Sequence, residues 1–175
     1  MKNSFIKQFT KFTFSPLYWL MYIVGGTGML GTALYYQYQL EELPCVLCIH
    51  VRLWVVTLVL VSLMGLLSRH VRMLNILSHT LVTLIAIALV ERSYQLLGTE
   101  RGFIDGECNF DIGLPAWLDV QGWVPWLFQI KTSCGYTPMI GFGVTMAESL
   151  LVMSVLMGLL TLSALVISVI AKNSR

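Results

Sequence analysis

Residues 49–67 read IHVRLWVVTLVLVSLMGLL, nineteen residues with one charge, Arg52, and no proline. A helix crossing the hydrocarbon core of a bilayer needs about 20 mostly apolar residues rising roughly 1.5 Å each, so this stretch reads as a membrane span. Three more follow on either side. One runs from Leu17 to Tyr36, one from Leu74 to Val90, and a last apolar run lies between Ile140 and Ala171. That run is longer than one crossing requires, so its membrane part is expected to begin near Met146, with Glu148 close to an interface. Lipid offers no partner to backbone N–H and C=O groups, so each span must be helical. The expected fold is an all-α membrane protein: a single four-transmembrane-helix bundle over residues 1–175. Its spans are about 17–36, 49–67, 74–90 and 146–171, and its outer loops about 37–48 and 91–139.

The composition excludes the main alternatives. Of 175 residues, 57% are hydrophobic and 11% charged, against roughly 45–50% and about 25% in soluble domains. The mean hydropathy of +0.76 agrees. A net charge of +2 with no basic stripe argues against nucleic acid as a partner, and no short repeat marks a low-complexity chain.

Charge sets the expected orientation. With both ends cytoplasmic, the inner segments hold Lys2, Lys7, Lys11, Arg69, Arg72, Lys172 and Arg175 and no acid. The outer segments hold Arg52, Arg92, Arg101 and Lys131 beside Glu41, Glu42, Glu91, Glu100, Asp105, Glu107, Asp111 and Asp119. The Lys/Arg bias favours N-in, C-in. The first apolar run is too long for the h-region of a cleavable signal peptide and lacks a small-x-small site, so it is expected to stay as an anchor.

That orientation puts all four cysteines, Cys45, Cys48, Cys108 and Cys134, on the outer face, where disulfides are permitted. Four cysteines allow three pairings. The Cys-Val-Leu-Cys spacing makes Cys45–Cys48 the natural local pair and leaves Cys108–Cys134 across 25 intervening residues. Pro44-Cys45-Val46-Leu47-Cys48 stands at the head of the second helix, where partial positive charge favours a thiolate. Arg52, four residues on, shares a helix face with Cys48. An arginine just inside an apolar span is costly and so is a functional candidate. A static disulfide or a zinc ligand set also uses Cys-x-x-Cys, but no second closely spaced pair completes a zinc site. Haem attachment needs His directly after the second cysteine, where Ile49 stands and His50 comes one late.

The second pair is less decisive. Gly98, Gly102 and Gly106 precede Cys108, and Trp123, Trp126, Leu127 and Ile130 recur at helical spacing before Cys134. These residues predict a short helix lying in the membrane interface. On local grounds this pair fits a structural disulfide nearly as well as a redox one. His79 in the third span reads as a helix-packing residue, and the glycines of the first span as permitting close packing.

Taken together, the four spans, Pro44-Cys-Val-Leu-Cys-Ile49, Arg52, the Cys108/Cys134 pair and the Pro-x-Trp-Leu and Trp-Val-Pro segments resemble the bacterial disulfide bond formation protein B (DsbB) family over nearly the whole chain. The family's place in keeping the bacterial periplasm oxidising is general knowledge. The resemblance implies an inner-membrane protein-dithiol:quinone oxidoreductase. A reduced periplasmic thioredoxin-fold oxidase of the DsbA type attacks the Cys108–Cys134 disulfide, with Cys108 forming the mixed disulfide. Electrons pass to Cys45–Cys48, and Cys48 acts on ubiquinone or menaquinone with Cys45 resolving. Arg52 holds the quinone or the charged intermediate. The chain departs from the family at Val51, where members often carry Glu or Gln, and at Gln95, where some carry a His near the quinone ring; Gln95 is therefore a candidate quinone contact. No metal is implied. The rival readings are a vitamin K epoxide reductase-like enzyme, which places its Cys-x-x-Cys at a late helix, and a four-span scaffold or transporter subunit with two structural disulfides.

Overall fold

The computed structural model describes residues 13, 15–105, 111–115, 117–141 and 143–173, and of residues 72, 141 and 168–173 the backbone alone. Cys108, Gly106, Glu107 and the basic residues Lys2, Lys7, Lys11 and Arg175 lie outside the described residues. Four long helices carry the fold: α1 (Pro16–Gln39), α2 (Val46–Ser68), α3 (Arg72–Arg101) and, last in the chain, α6 (Met146–Asn173). Each is long and apolar enough to cross a membrane. Two single-turn helices, α4 (Val120–Trp123) and α5 (Pro125–Phe128), and a small antiparallel hairpin, β1 (Met139–Gly141) with β2 (Val144–Thr145), occupy the segment between α3 and α6.

Local chemistry sets the helix ends. Ser15 caps α1 by accepting from the Leu17 N–H at 3.2 Å, and Pro16 fills the first turn, where its missing N–H costs nothing. The α1–α2 turn passes through Glu41 at φ 56. α3 ends at Gly102, whose φ of 75 lets its N–H turn back onto the Gly98 and Thr99 carbonyls.

α3 departs from the expected boundary. The sequence reading closes the third span at Val90 and starts a loop at Glu91, yet the helix continues for eleven more residues to Arg101. Glu91, Arg92, Glu100 and Arg101 mark where lipid contact becomes unfavourable. Charged side chains are good helix formers, so the helix continues into the aqueous boundary until Gly102. The interfacial segment also departs from expectation. Trp123 and Trp126 point outward while Leu127, Phe128 and Ile130 are buried, and the segment is two separate turns. Pro125 lacks an N–H and disfavours helical backbone at Val124, which adopts φ −137.

Neighbouring long helices pack in chain order, α1 on α2, α2 on α3 and α3 on α6, and α1 and α6 leave the ring open between them. Two cores result. The one nearer the α2–α3 turn gathers Tyr18, Trp19, Val55, Leu58, Val82 and Leu89. His79 packs there, its ring 4.8 Å from that of Trp19 and 5.1 Å from that of Tyr18. The other core, at the head of α2, joins Cys45, Ile49, Leu96, Ile112, Phe128 and Ile130. It ties the segment after α3 to the cysteine-bearing turn.

Candidate redox site at the head of the second helix

Cys45 is the N-cap of α2. Its backbone is extended (φ −88, ψ 172) and its sulfur accepts from the Cys48 N–H at 3.5 Å, the capping role more often filled by Ser or Asp. The next turn brings Cys48 back over it, with the Cys45 thiol donating to the Cys48 sulfur at 3.1 Å. Cys45 is buried and Cys48 half-buried; both are thiols, as is Cys134.

Cys134 comes to the same point from the other loop. Its thiol stands near enough to Cys45 to interact with it, and faces the Leu47 and Val46 N–H groups, two of the donors a helix start leaves without an intrahelical partner. Three hydrogen bonds dock its segment onto the end of α1 and the head of α2. The Lys131 N–H donates to the Pro44 carbonyl at 3.0 Å, Tyr38 Oη to the Trp126 carbonyl at 2.8 Å, and Arg52 Nη1 to the Leu127 carbonyl at 3.0 Å. The three described cysteines thus gather at one point, Cys45 bonded to Cys48 and Cys134 beside Cys45.

This grouping sets the titration of Cys45 and Cys134. The neighbouring Cys134 thiol favours the Cys45 thiolate. The bond Cys45 gives to Cys48, burial and the charge of Cys48 outweigh it, and the Cys45 thiol is pushed up to about 12. For Cys134, the interaction with Cys45 first and burial second hold the proton on, against the opposing pull of the Leu47 and Val46 N–H groups. With both neighbours holding their protons, Cys48 is the sulfur that accepts, from the Cys45 thiol.

Arg52 lies one turn below Cys48 and is 6% exposed. A buried guanidinium is tolerable only with its donors satisfied. Nη1 donates to Gln37 Oε1 at 2.5 Å as well as to Leu127, and Nη2 to the Ala33 carbonyl at 3.3 Å. Gln37 and Ala33 are on α1, so Arg52 also fastens α1 to α2.

Cys48 and Arg52 line one wall of a cavity of about 390 Å³ in the opening between α1 and α6. Its volume falls within the roughly 300–1,000 Å³ of small-molecule sites. The α1 side supplies Met29, Ala33 and Tyr36, the α6 side Met146, Leu150 and Met153, and the outer rim Tyr136 and Pro138. The lining is mainly apolar, with one thiol and one cation meeting at its α2 wall, which suits a hydrophobic molecule bearing polar oxygens.

Four sequence candidates thus converge: Cys45, Cys48, Arg52 and Cys134. Gln95 does not join them. It is absent from the cavity lining, and its side chain is engaged along α3, accepting from Arg92 at 2.9 Å and donating to Glu91 at 3.3 Å. Cys108 lies outside the described residues. The described loop beyond it is anchored where His50 Nε2 meets the Ile112 carbonyl at 2.9 Å. Gln37 was not singled out from the sequence. Its signal is faint, a polar residue in the last turn of a span, and its partner sits on another helix. Among the described residues no group of three or more His, Cys, Asp or Glu is arranged to hold a metal ion.

Comparison with known proteins adds a lineage. The sequence profile described as "Disulfide bond formation protein DsbB" matches residues 15–164. The chain is 31% identical over 151 residues to Disulfide bond formation protein B of Shewanella sp. (strain MR-4), covering 82% of this chain and 83% of the relative. It is 29% identical over 133 residues to Disulfide bond formation protein B 2 of Pseudomonas aeruginosa, covering 75% and 79%. With Disulfide bond formation protein B of Haemophilus influenzae it shares 28% over 148 residues, covering 84% and 82%.

Proposed function

This chain belongs to the DsbB family, and from that premise we infer how its residues divide the work. As a member it is a multi-pass membrane thiol oxidoreductase of disulfide bond formation that reoxidises a DsbA-type oxidase. Beyond that, the proposed setting is the bacterial inner membrane with both termini cytoplasmic, the cysteines periplasmic and a quinone as electron acceptor. Ubiquinone and menaquinone are the two candidate acceptors, and the mainly apolar cavity supports a quinone head group of either kind.

In this reading the reduced partner oxidase attacks the Cys108–Cys134 disulfide at Cys108, and Cys134 leaves as a thiolate. Cys134 then attacks the Cys45 sulfur of a Cys45–Cys48 disulfide. One S–S bond forms between Cys134 and Cys45, the Cys45–Cys48 bond breaks, and Cys48 leaves carrying the electron pair. Exchange of this kind needs an aligned attacker and a stabilised leaving thiol. The position of Cys134 beside Cys45 supports the first requirement. The N-terminus of α2 and the Arg52 guanidinium support the second. A quinone bound in the cavity supplies a two-electron, two-proton acceptor. Cys48 holds the electron pair at the cavity wall, Arg52 keeps positive charge beside it, and the apolar lining excludes water.

The observation that carries this reading is the meeting of Cys48 and Arg52 on the wall of an apolar cavity, with Cys134 against Cys45 behind them. Purified protein in detergent, given a reduced DsbA-type oxidase and quinone, tests it through quinone absorbance. Turnover in the wild type and loss in both Cys48→Ser and Cys108→Ser is expected. No turnover with either quinone would return the cysteines to structural staples.

A further inference from the structure

Glu100 and Arg101 form the last turn of α3 and touch neither a cysteine nor the cavity. Both reach elements that do line it. Glu100 Oε2 accepts from Thr137 Oγ1 at 2.5 Å. Thr137 is buried, and its two neighbours, Tyr136 and Pro138, form the outer rim; Cys134 is three residues back on the same segment. Arg101 Nη2 pairs with Glu148 Oε1. Glu148 belongs to the first turn of α6, between the cavity-lining residues Met146 and Ser149. Its other oxygen accepts from the Thr145 N–H at 3.1 Å, and its own N–H donates to Thr145 Oγ1 at 3.3 Å. That reciprocal capping box fixes where α6 begins, so a force on Glu148 acts on the helix start as a whole.

We propose that Glu100 and Arg101 are positioning residues for the proposed redox reaction. Through Thr137, Glu100 sets the height of the Cys134 segment against α2. Through Glu148, Arg101 sets how far the head of α6 stands from α2, and so the width of the cavity in front of Cys48. The two pieces are joined by the hairpin, with the Met146 N–H donating to the Pro138 carbonyl at 2.9 Å. α3, which packs on both α2 and α6, holds a piece on each side of that join. The inference rests on the reading of the cavity as the quinone site only for its second half.

Two measurements on the full chain in detergent separate the halves. The first uses a Cys48→Ser/Cys108→Ser background that keeps only Cys45 and Cys134. Diamide oxidises the pair, and the rate of disulfide formation is followed by gel shift. Glu100→Ala and Thr137→Val are each expected to slow crosslinking about fivefold, since displacement of reacting groups by an ångström has large rate effects. Glu100→Gln, which keeps an acceptor, restores the rate. The second follows steady-state reduction of a short-chain ubiquinone. Arg101→Ala is expected to raise the quinone KM about two- to fivefold, the scale of one partly exposed ion pair, with kcat within about twofold. Arg101→Lys keeps KM near wild type because the pair is a single contact. An unchanged crosslinking rate in both Glu100→Ala and Thr137→Val overturns the first half, whatever the quinone result. An unchanged KM in Arg101→Ala, or a fall in kcat that Arg101→Lys does not restore, overturns the second. A wild type inactive toward quinone overturns the quinone reading and with it the Arg101 half, while the crosslinking result still decides Glu100.

Discussion

Arg52 and Gln37 form one unit, since a charge inside an apolar helix needs acceptors and the second helix has none to spare. Replacing Gln37 by Leu leaves Nη1 with the Leu127 carbonyl alone, and losing one partner of a buried charged donor costs about 1–3 kcal/mol. Gln37→Leu is therefore expected to lower the unfolding midpoint in detergent and raise the quinone KM severalfold. Arg52→His should weaken quinone use more, and because it also removes the bond to the Leu127 carbonyl that docks the Cys134 segment, it should slow Cys45–Cys134 crosslinking as well. The thiols carry a pH prediction. A raised pKa keeps Cys45 protonated, so its thiolate becomes abundant only as pH approaches about 12. In fully reduced protein, iodoacetamide labelling of Cys45, read by mass spectrometry, should climb steadily from pH 7 to 10; a plateau by pH 9 contradicts the raised pKa. Cys45, Cys48 and Arg52 were legible in sequence because helical spacing alone relates them. Gln37 and the seat of Cys134 on the Val46 and Leu47 N–H groups were not, because each depends on a contact between separate elements that no local spacing encodes.

Helices were legible as apolar runs, and their ends less so. Hydropathy reports where lipid stops, whereas a helix stops where its backbone is capped; on α3 the two lie eleven residues apart. The break at Val124 was written in Pro125 but overridden by the apparent spacing of Trp123, Trp126 and Ile130. The hairpin of Met139–Thr145 has no sequence signal beyond Gly143 at φ 77. Packing between α1 and α2 yields a sharp test. A Cβ at Gly65 would stand 2.6–2.8 Å from the fully buried Trp19 ring, and overpacking of this kind costs about 1–3 kcal/mol. Gly65→Ala should lower thermal stability in detergent, whereas Gly158→Ala, where a Cβ meets nothing within 4 Å, should hold or raise it. Equal midpoints for the two would mean that Trp19 repacks freely.

At the scale of the whole molecule the all-α bundle and its four spans were legible because lipid permits so few alternatives. The order in which helices close on one another was not, since an apolar face is the same face whether it meets lipid or protein. The proposed orientation is open to direct test: alkaline phosphatase fused within residues 111–115 should be active, and fused after Arg175 inactive. The reverse pattern would place the cysteines in the reducing compartment and end the redox reading. The gap between α1 and α6 has a kinetic consequence. A site entered sideways from the bilayer samples its lipophilic substrate as a solute in a two-dimensional solvent. Saturation is then governed by moles of substrate per mole of amphiphile, not by moles per litre of water. Adding empty micelles at fixed total quinone should therefore slow the reaction as surely as removing quinone, and rates gathered at different detergent loads should fall on one curve only when plotted against mole fraction.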